Sequence, residues 1–167
     1  GTVGASLTYL TKEFPIKCVF YVPNKKKIMR KDLFEDEAVK IIEHGRTYED
    51  CVIESRRISR EKGWYDANPG GANTPLQLMA YAEIAHEIYD QLRDAPKIVA
   101  IPMSNGTLLA GVYRGFVSLY KRGKTSRIPH IIGASSTQKN PIVYSFKKGF
   151  DQCVDLVPEK IKETEVN

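Results

Sequence analysis

The residues best suited to chemistry form the run Met103-Ser104-Asn105-Gly106-Thr107, a small polar turn between a strand pattern and a helical one. Ile98-Val99-Ala100-Ile101 reads as a strand buried on both faces, with Pro102 ending its ladder. From Leu108 the periodicity becomes helical, with Leu108, Leu109, Val112, Phe116 and Leu119 recurring at three- and four-residue spacing. A helix N-terminus presents N–H groups that have no acceptor within the helix, and small side chains let a phosphate approach them. The turn is therefore a candidate anion site. The same residues would also serve an ordinary βα turn, and the loop alone does not decide between the two. They match neither the P-loop nor the dinucleotide-binding fingerprint, which argues against a nucleotide enzyme.

Other reactive side chains do not cluster. His44 ends one predicted strand, His86 lies on a polar helix face, and His130 opens another strand. None stands at metal-ligand spacing from another ligand type, so packing or surface roles are expected and no metal is assigned. Cys18, Cys51 and Cys153 are far apart and odd in number, which excludes a disulfide framework and a zinc site and fits a reducing cytoplasm. Ser135-Ser136-Thr137 is a polar strand end that serves equally as a site lining or as a loop.

An alternation of elements must position the turn. Thr2–Glu13 reads as a helix and Ile16–Val22 as a buried strand ended by Pro23-Asn24. Lys25–Lys27 form a basic turn, Met29–Ala38 a short helix with Leu33 and Phe34 inward, and Val39–Glu43 a strand closed by His44-Gly45. Tyr48–Lys62 is a helix with Tyr48, Cys51, Val52 and Ile58 on one face and Gly63 as its stop. Trp64–Ala67 reads as a short strand. After the breaker Asn68–Asn73, Thr74 caps a helix with Pro75 at its first position, running to about Arg93 with Leu78, Ala82, Ile84, Ala85, Ile88 and Leu92 inward. Beyond the turn, His130–Ala134 is a strand entered from Pro129, and Asn140–Phe150 a helix. Strands alternating with helices imply βαβ units and largely parallel sheets, an α/β chain with a small lobe over 1–94 and part of a larger one over 95–167. In open sheets of this kind ligands sit beyond the carboxyl ends of the strands, which is where Met103–Thr107 falls.

Composition sets outer limits. Of 167 residues, 42% are hydrophobic and 27% charged, as in ordinary globular proteins. No apolar run approaches the roughly 20 residues that span a bilayer, and no signal peptide is visible, so no membrane partner is expected. The formal charge of +5 is dispersed. Its only dense cluster, Lys25-Lys26-Lys27 with Arg30-Lys31, is followed at once by Asp32, Glu35, Asp36 and Glu37, with no aromatic platform, so a solvated loop is expected rather than a nucleic-acid surface. A start at Gly1 without Met, inside a helical pattern, and a polar end over 158–167 suggest a piece of a longer protein whose exposed apolar surface would favour homo-oligomers.

Pro102-Met103-Ser104-Asn105-Gly106-Thr107-Leu108-Leu109-Ala110-Gly111, followed by Tyr113-Arg114-Gly115-Phe116, resembles threonine synthase, a family of pyridoxal-phosphate enzymes of fold type II, the tryptophan-synthase-β type. Gly1–Ser6 is similar to the family's Gly-Asn-Thr-x-x-Ser helix start beside the cofactor ring. Ala38–Gly45, Ala82–Ala85, Pro129–Gly133 and Pro141–Val143 also resemble family segments in the same order. The resemblance implies that Ser104, Asn105, Gly106, Thr107 and Leu108 hold the phosphate of pyridoxal 5'-phosphate through backbone N–H groups, with Thr2 near the ring. It implies a lyase of threonine biosynthesis that turns O-phosphohomoserine, an amino-acid phosphate, into threonine and phosphate. A related threonine or serine dehydratase, or a non-catalytic relative of the same fold, are the alternatives.

The departures concern catalysis. The family's Schiff-base lysine precedes the Gly-Asn-Thr segment, and none of Lys12, Lys17, Lys25, Lys26 or Lys27 takes its place, so no catalytic residue is assigned and this chain alone is expected to be inactive. The family's hydroxyl residue that pairs with the pyridine nitrogen is absent as well. Thr2 stands where the family has Asn, Thr107 where it has a smaller residue, and Asn68–Asn73 lacks the family's charged residues.

Overall fold

A computed structural model describes residues 2–24, 34–135 and 140–154, which divide into a first unit up to Asn68 and a second from Pro69 onward. The basic turn 25–27, the start of the predicted helix 29–38, Ser136, Thr137 and the polar end 158–167 lie outside the described residues.

In the first unit, β1 (Cys18–Val22) and β2 (Val39–Glu43) pair in parallel, with Cys18 opposite Val39 and Val22 opposite Glu43. Both are rich in β-branched and aromatic residues that suit a pleated surface. Helices α1 (Thr2–Glu13) and α2 (Tyr48–Lys62) pack on β1. Gly4 makes room for the Phe34 ring, since a Cβ there would lie 2.8 Å from it, and Phe34 in turn meets Phe20 edge-on. Phe34 is thus inward as expected and lies in 3-10 conformation, while residues 35–38 form no helix.

Helix α2 is fixed at both ends by its own sequence. Thr47 Oγ1 accepts from the Asp50 amide at 3.1 Å, while Asp50 Oδ2 accepts from the amides of Arg46 and Thr47 at 2.8 and 3.0 Å. This capping box consumes donors that would otherwise face solvent. At the other end Gly63 takes the left-handed conformation (φ 64°) that stops a helix. Cys51 is buried and donates its thiol to the His44 carbonyl, whereas Tyr48, expected on the same face, is exposed.

The second unit is a βαβ arrangement. Helix α3 (Thr74–Leu92) leads to β3 (Ile98–Pro102), helix α4 (Thr107–Lys121), β4 (His130–Ala134) and the short α5 (Pro141–Lys147). Strands β3 and β4 pair in parallel from Ile98 opposite His130 to Pro102 opposite Ala134, and α4 lies against both. Helices α3 and α4 run side by side in the same direction. Gly111 faces Leu78 and Tyr81, and one turn later Gly115 faces Ala82 and Ala85. A Cβ on Gly115 would fall 2.5 Å from the Ala82 carbonyl oxygen, so glycine is what permits this approach. Phe116 and Ala85, both fully buried, anchor a core with Ala95, Ile101, Val112 and Leu119. Burying one such aromatic is worth about 1.5–3 kcal/mol. At the amino ends of the strands, Asp94 accepts from Ser126 twice, from its amide at 2.7 Å and its hydroxyl at 2.6 Å, and from the Ala95 amide.

The two units meet between Asn68 and Pro69, and α3 packs against α4 within the second. Several expectations fail for physical reasons. Strand β3 is covered on one face only: Val99 and Ile101 face the helices, while Ile98 and, on β4, Ile132 remain about half exposed (51% and 46%). Trp64–Ala67 forms no strand. Instead the Asp66 carboxylate accepts from the Asn68 amide, turning the chain, and the Lys62 ammonium sits over the Trp64 ring. Thr74 is already helical, and Asn73 occupies the cap position without a side-chain capping bond. Ile84 and Leu92 are exposed because α3 buries only the stripe that meets α4. The last helix begins after Asn140 and ends at Lys147. Among the described residues no helix is long and apolar enough to cross a membrane.

Candidate functional site

The turn between β3 and α4 is built as an open helix entrance. The Met103 amide makes the last bond of the sheet, donating to the Ala134 carbonyl at 2.7 Å. Gly106 then takes a left-handed conformation (φ 81°), a region that favours glycine, and occupies the cap position of α4 with no side-chain capping bond. A Cβ on Gly106 would also lie 3.3 Å from Ile142 Cδ1. Asn105 Oδ1 accepts from the Thr107 amide at 3.2 Å, and the first helical bond runs from the Ala110 amide to the Gly106 carbonyl. The amides of Ser104, Asn105, Gly106, Leu108 and Leu109 find no acceptor among the described residues. No acidic side chain lies in the first turn of α4. Ser104 and Asn105 are exposed, and Gly106, Thr107 and Leu108 half-buried.

The predicted phosphate residues are consecutive and form one short turn at a helix N-terminus. Amide donors, the positive end of the helix and the absence of a carboxylate suit a phosphate group. Thr2, the remaining predicted residue, opens α1 in the other unit, and its side chain is outside the described set.

Sequence reasoning missed Asn140. This residue is 7% exposed, and its Nδ2 donates to the carbonyls of Met103 (3.2 Å) and Ser104 (2.8 Å) and to Ser135 Oγ (2.8 Å). Its Oδ1 accepts from the amides of Ile142 and Val143, capping α5. The Asn-Pro pair at a helix start is a readable cap signal. The reach back across 36 residues to Ser104 is not.

No other constellation emerges. The thiols of Cys18 and Cys51 are pushed up, chiefly by burial and secondarily by Asp36 and Asp50 respectively, which makes them poor nucleophiles. His86 Nδ1 lies 3.6 Å from Glu83, and its buried Nε2 finds no partner among the described residues. No group of metal-ligating side chains occurs among the described residues.

Comparison with known proteins gives the family. The profile of the Pyridoxal-phosphate dependent enzyme family matches residues 1–167. A threonine synthase of Mycobacterium bovis is 23% identical over 145 residues, covering 86% of this chain and 39% of the relative. One from Bacillus sp. is 27% identical over 135 residues, covering 80% and 37%. The chain therefore spans about two fifths of the length of these curated relatives. Among solved structures, maize serine racemase superposes with a TM-score of 0.73 at 16% identity, covering 92% of this chain and 44% of the racemase. Diaminopropionate ammonia lyase from Escherichia coli gives 0.72 at 21% identity, covering 88% and 38%.

Proposed function

Because this chain belongs to the pyridoxal-phosphate dependent enzymes, with their fold-type-II architecture, we propose that Ser104 to Leu108 hold the phosphate of pyridoxal 5'-phosphate in a threonine synthase. The observation that carries the reading is the row of acceptor-free amides where Gly106 leads into α4. The cofactor, when bound, withdraws electrons from an attached amino acid and so labilises its bonds. This chain's own contribution is position and charge. The amides of Ser104, Asn105, Gly106 and Leu108 neutralise the phosphate, and the positive end of α4 adds to them. The left-handed Gly106 lets the backbone close on the oxygens without a side chain in the way. Thr2 matches the family's ring-side Asn in its position along the sequence. As the resemblance to threonine synthase implies, the intact protein would convert O-phosphohomoserine and water to threonine and phosphate; the curated relatives are named threonine synthases.

Two measurements test this. Titrating the isotopically labelled chain with pyridoxal 5'-phosphate should move the backbone amide signals of Ser104–Leu108 first. Signals elsewhere moving while these stay fixed would refute the site. Assays of the intact protein should show phosphate release from O-phosphohomoserine exceeding ammonia release from free threonine or serine, and the reverse would make it a dehydratase. The 167-residue chain should show no turnover with either substrate, since it carries no assigned Schiff-base lysine.

A further inference from the structure

We infer that Asn140 is the positioning residue that aims the amides of the phosphate turn, an inference that rests on the reading of Ser104–Leu108 as the phosphate site. A trans peptide unit is planar, so its C=O and N–H point in opposite directions. Asn140 Nδ2 holds the carbonyl of Met103 at 3.2 Å and that of Ser104 at 2.8 Å. The other ends of those same two peptide units are the amides of Ser104 and Asn105. By pulling both carbonyls to its own side, Asn140 turns both N–H groups to the opposite side, and neither finds an acceptor there among the described residues.

The residue type matters. Two Nδ2 hydrogens serve Ser104 O and Ser135 Oγ at 2.8 Å each and share Met103 O at longer range, while Oδ1 takes the amides of Ile142 and Val143. A carboxamide offers two donor hydrogens to the turn and a separate oxygen to α5, whereas a hydroxyl has a single donor and a carboxylate none. Aspartate or serine would cap α5 equally well but could not hold the two carbonyls. Asn140 is buried, so freed carbonyls would have to seek other donors, and their peptide planes would rotate. Because the turn is set before any ligand arrives, binding does not have to order it, and affinity gains accordingly.

The test compares Asn140→Ser and Asn140→Asp with the unaltered chain, using inorganic phosphate and pyridoxal 5'-phosphate as probes and amide signals as the readout. Both variants keep an α5 cap, so their melting temperatures should stay near that of the unaltered chain, while affinity for both probes falls about tenfold or more. The serine variant isolates the loss of the donor from the charge that aspartate adds. Unchanged phosphate affinity in Asn140→Ser overturns the proposal. In the unaltered chain, the Asn140 side-chain NH2 should exchange with solvent about tenfold slower than that of exposed Asn105, and equal rates overturn it even if neither variant folds. If phosphate moves no amide of Ser104–Leu108 in the unaltered chain, the site reading fails first and this one with it. Binding there that ignores Asn140 leaves the site standing and removes only the clamp.

Discussion

Helices α2 and α4 both follow a parallel strand and a short turn containing a left-handed glycine, Gly45 in one case and Gly106 in the other. Their first turns are nonetheless opposites. At α2 the chain supplies its own anion: Asp50 accepts from Arg46 and Thr47, and a Cβ on Gly45 would lie 2.3 Å from Asp50 Cβ. At α4 the cap residue Gly106 has no side chain to bond the first turn, Asn105 reaches only the Thr107 amide, and no carboxylate stands in that turn. One helix end is closed by the chain's own carboxylate, and the other leaves its amides open, as the proposed phosphate site requires. The open helix is the one whose own inner face, through Phe116 and Val112, is buried in the core of the second unit.

That contrast can be broken from below. Phe116→Ala removes the fully buried ring on the inner face of α4 and should cost about 3–5 kcal/mol in denaturant unfolding, the largest effect expected here. Gly106→Ala places a Cβ in left-handed backbone and 3.3 Å from Ile142, costing about 1–2 kcal/mol and most of the affinity for inorganic phosphate. Thr47→Ala opens α2 and should cost about 1 kcal/mol by thermal melting, with phosphate affinity unchanged. Asn105→Asp would make α4 resemble α2. A carboxylate beside that N-terminus should add about 0.3–1 kcal/mol of stability while weakening phosphate binding, and stability and affinity moving together would contradict the comparison.

The smallest effect concerns acid. Backbone donors from Arg46 and then Thr47 hold Asp50 below the ordinary aspartate range, and Ser126 and Ala95 do the same for Asp94. A carboxylate with a lowered folded-state pKa contributes stability that is complete above its unfolded pKa and is lost as pH falls through the folded one. Melting temperature should therefore be flat from neutrality to about pH 5 and drop below about pH 4. Asp50→Asn with Asp94→Asn should flatten that acid limb.

Periodicity made most of the elements legible. Thr2–Glu13, Val39–Glu43, Tyr48–Lys62, Thr107–Lys121 and His130–Ala134 have strong local patterns, and the structure places them within a residue or so of where the pattern puts them. The turn between β3 and α4 was legible as a link, because Ser-Asn-Gly-Thr between a strand and a helix is a local signal; its role toward phosphate is the proposal made above. What local pattern could not convey is covering. Ile98 reads as core, yet it is half exposed, because nothing in its own segment says which face a helix will cover. Trp64–Ala67 has the residues of a strand but no partner strand among the described residues. Asn140 escaped for a related reason: its cap is local, whereas its grip on Met103 and Ser104 depends on where two parallel strands end side by side.

The bonds between Asp94 and Ser126 tie the chain just before β3 to the chain just before β4, at the end of the sheet away from the phosphate turn. On the proposed reading of the turn, robustness and recognition occupy opposite poles of one small sheet. Substitutions at the Asp94 pole should then alter heat tolerance without reshaping the pole where Gly106 and Asn140 lie, a separation that a protein engineer can exploit.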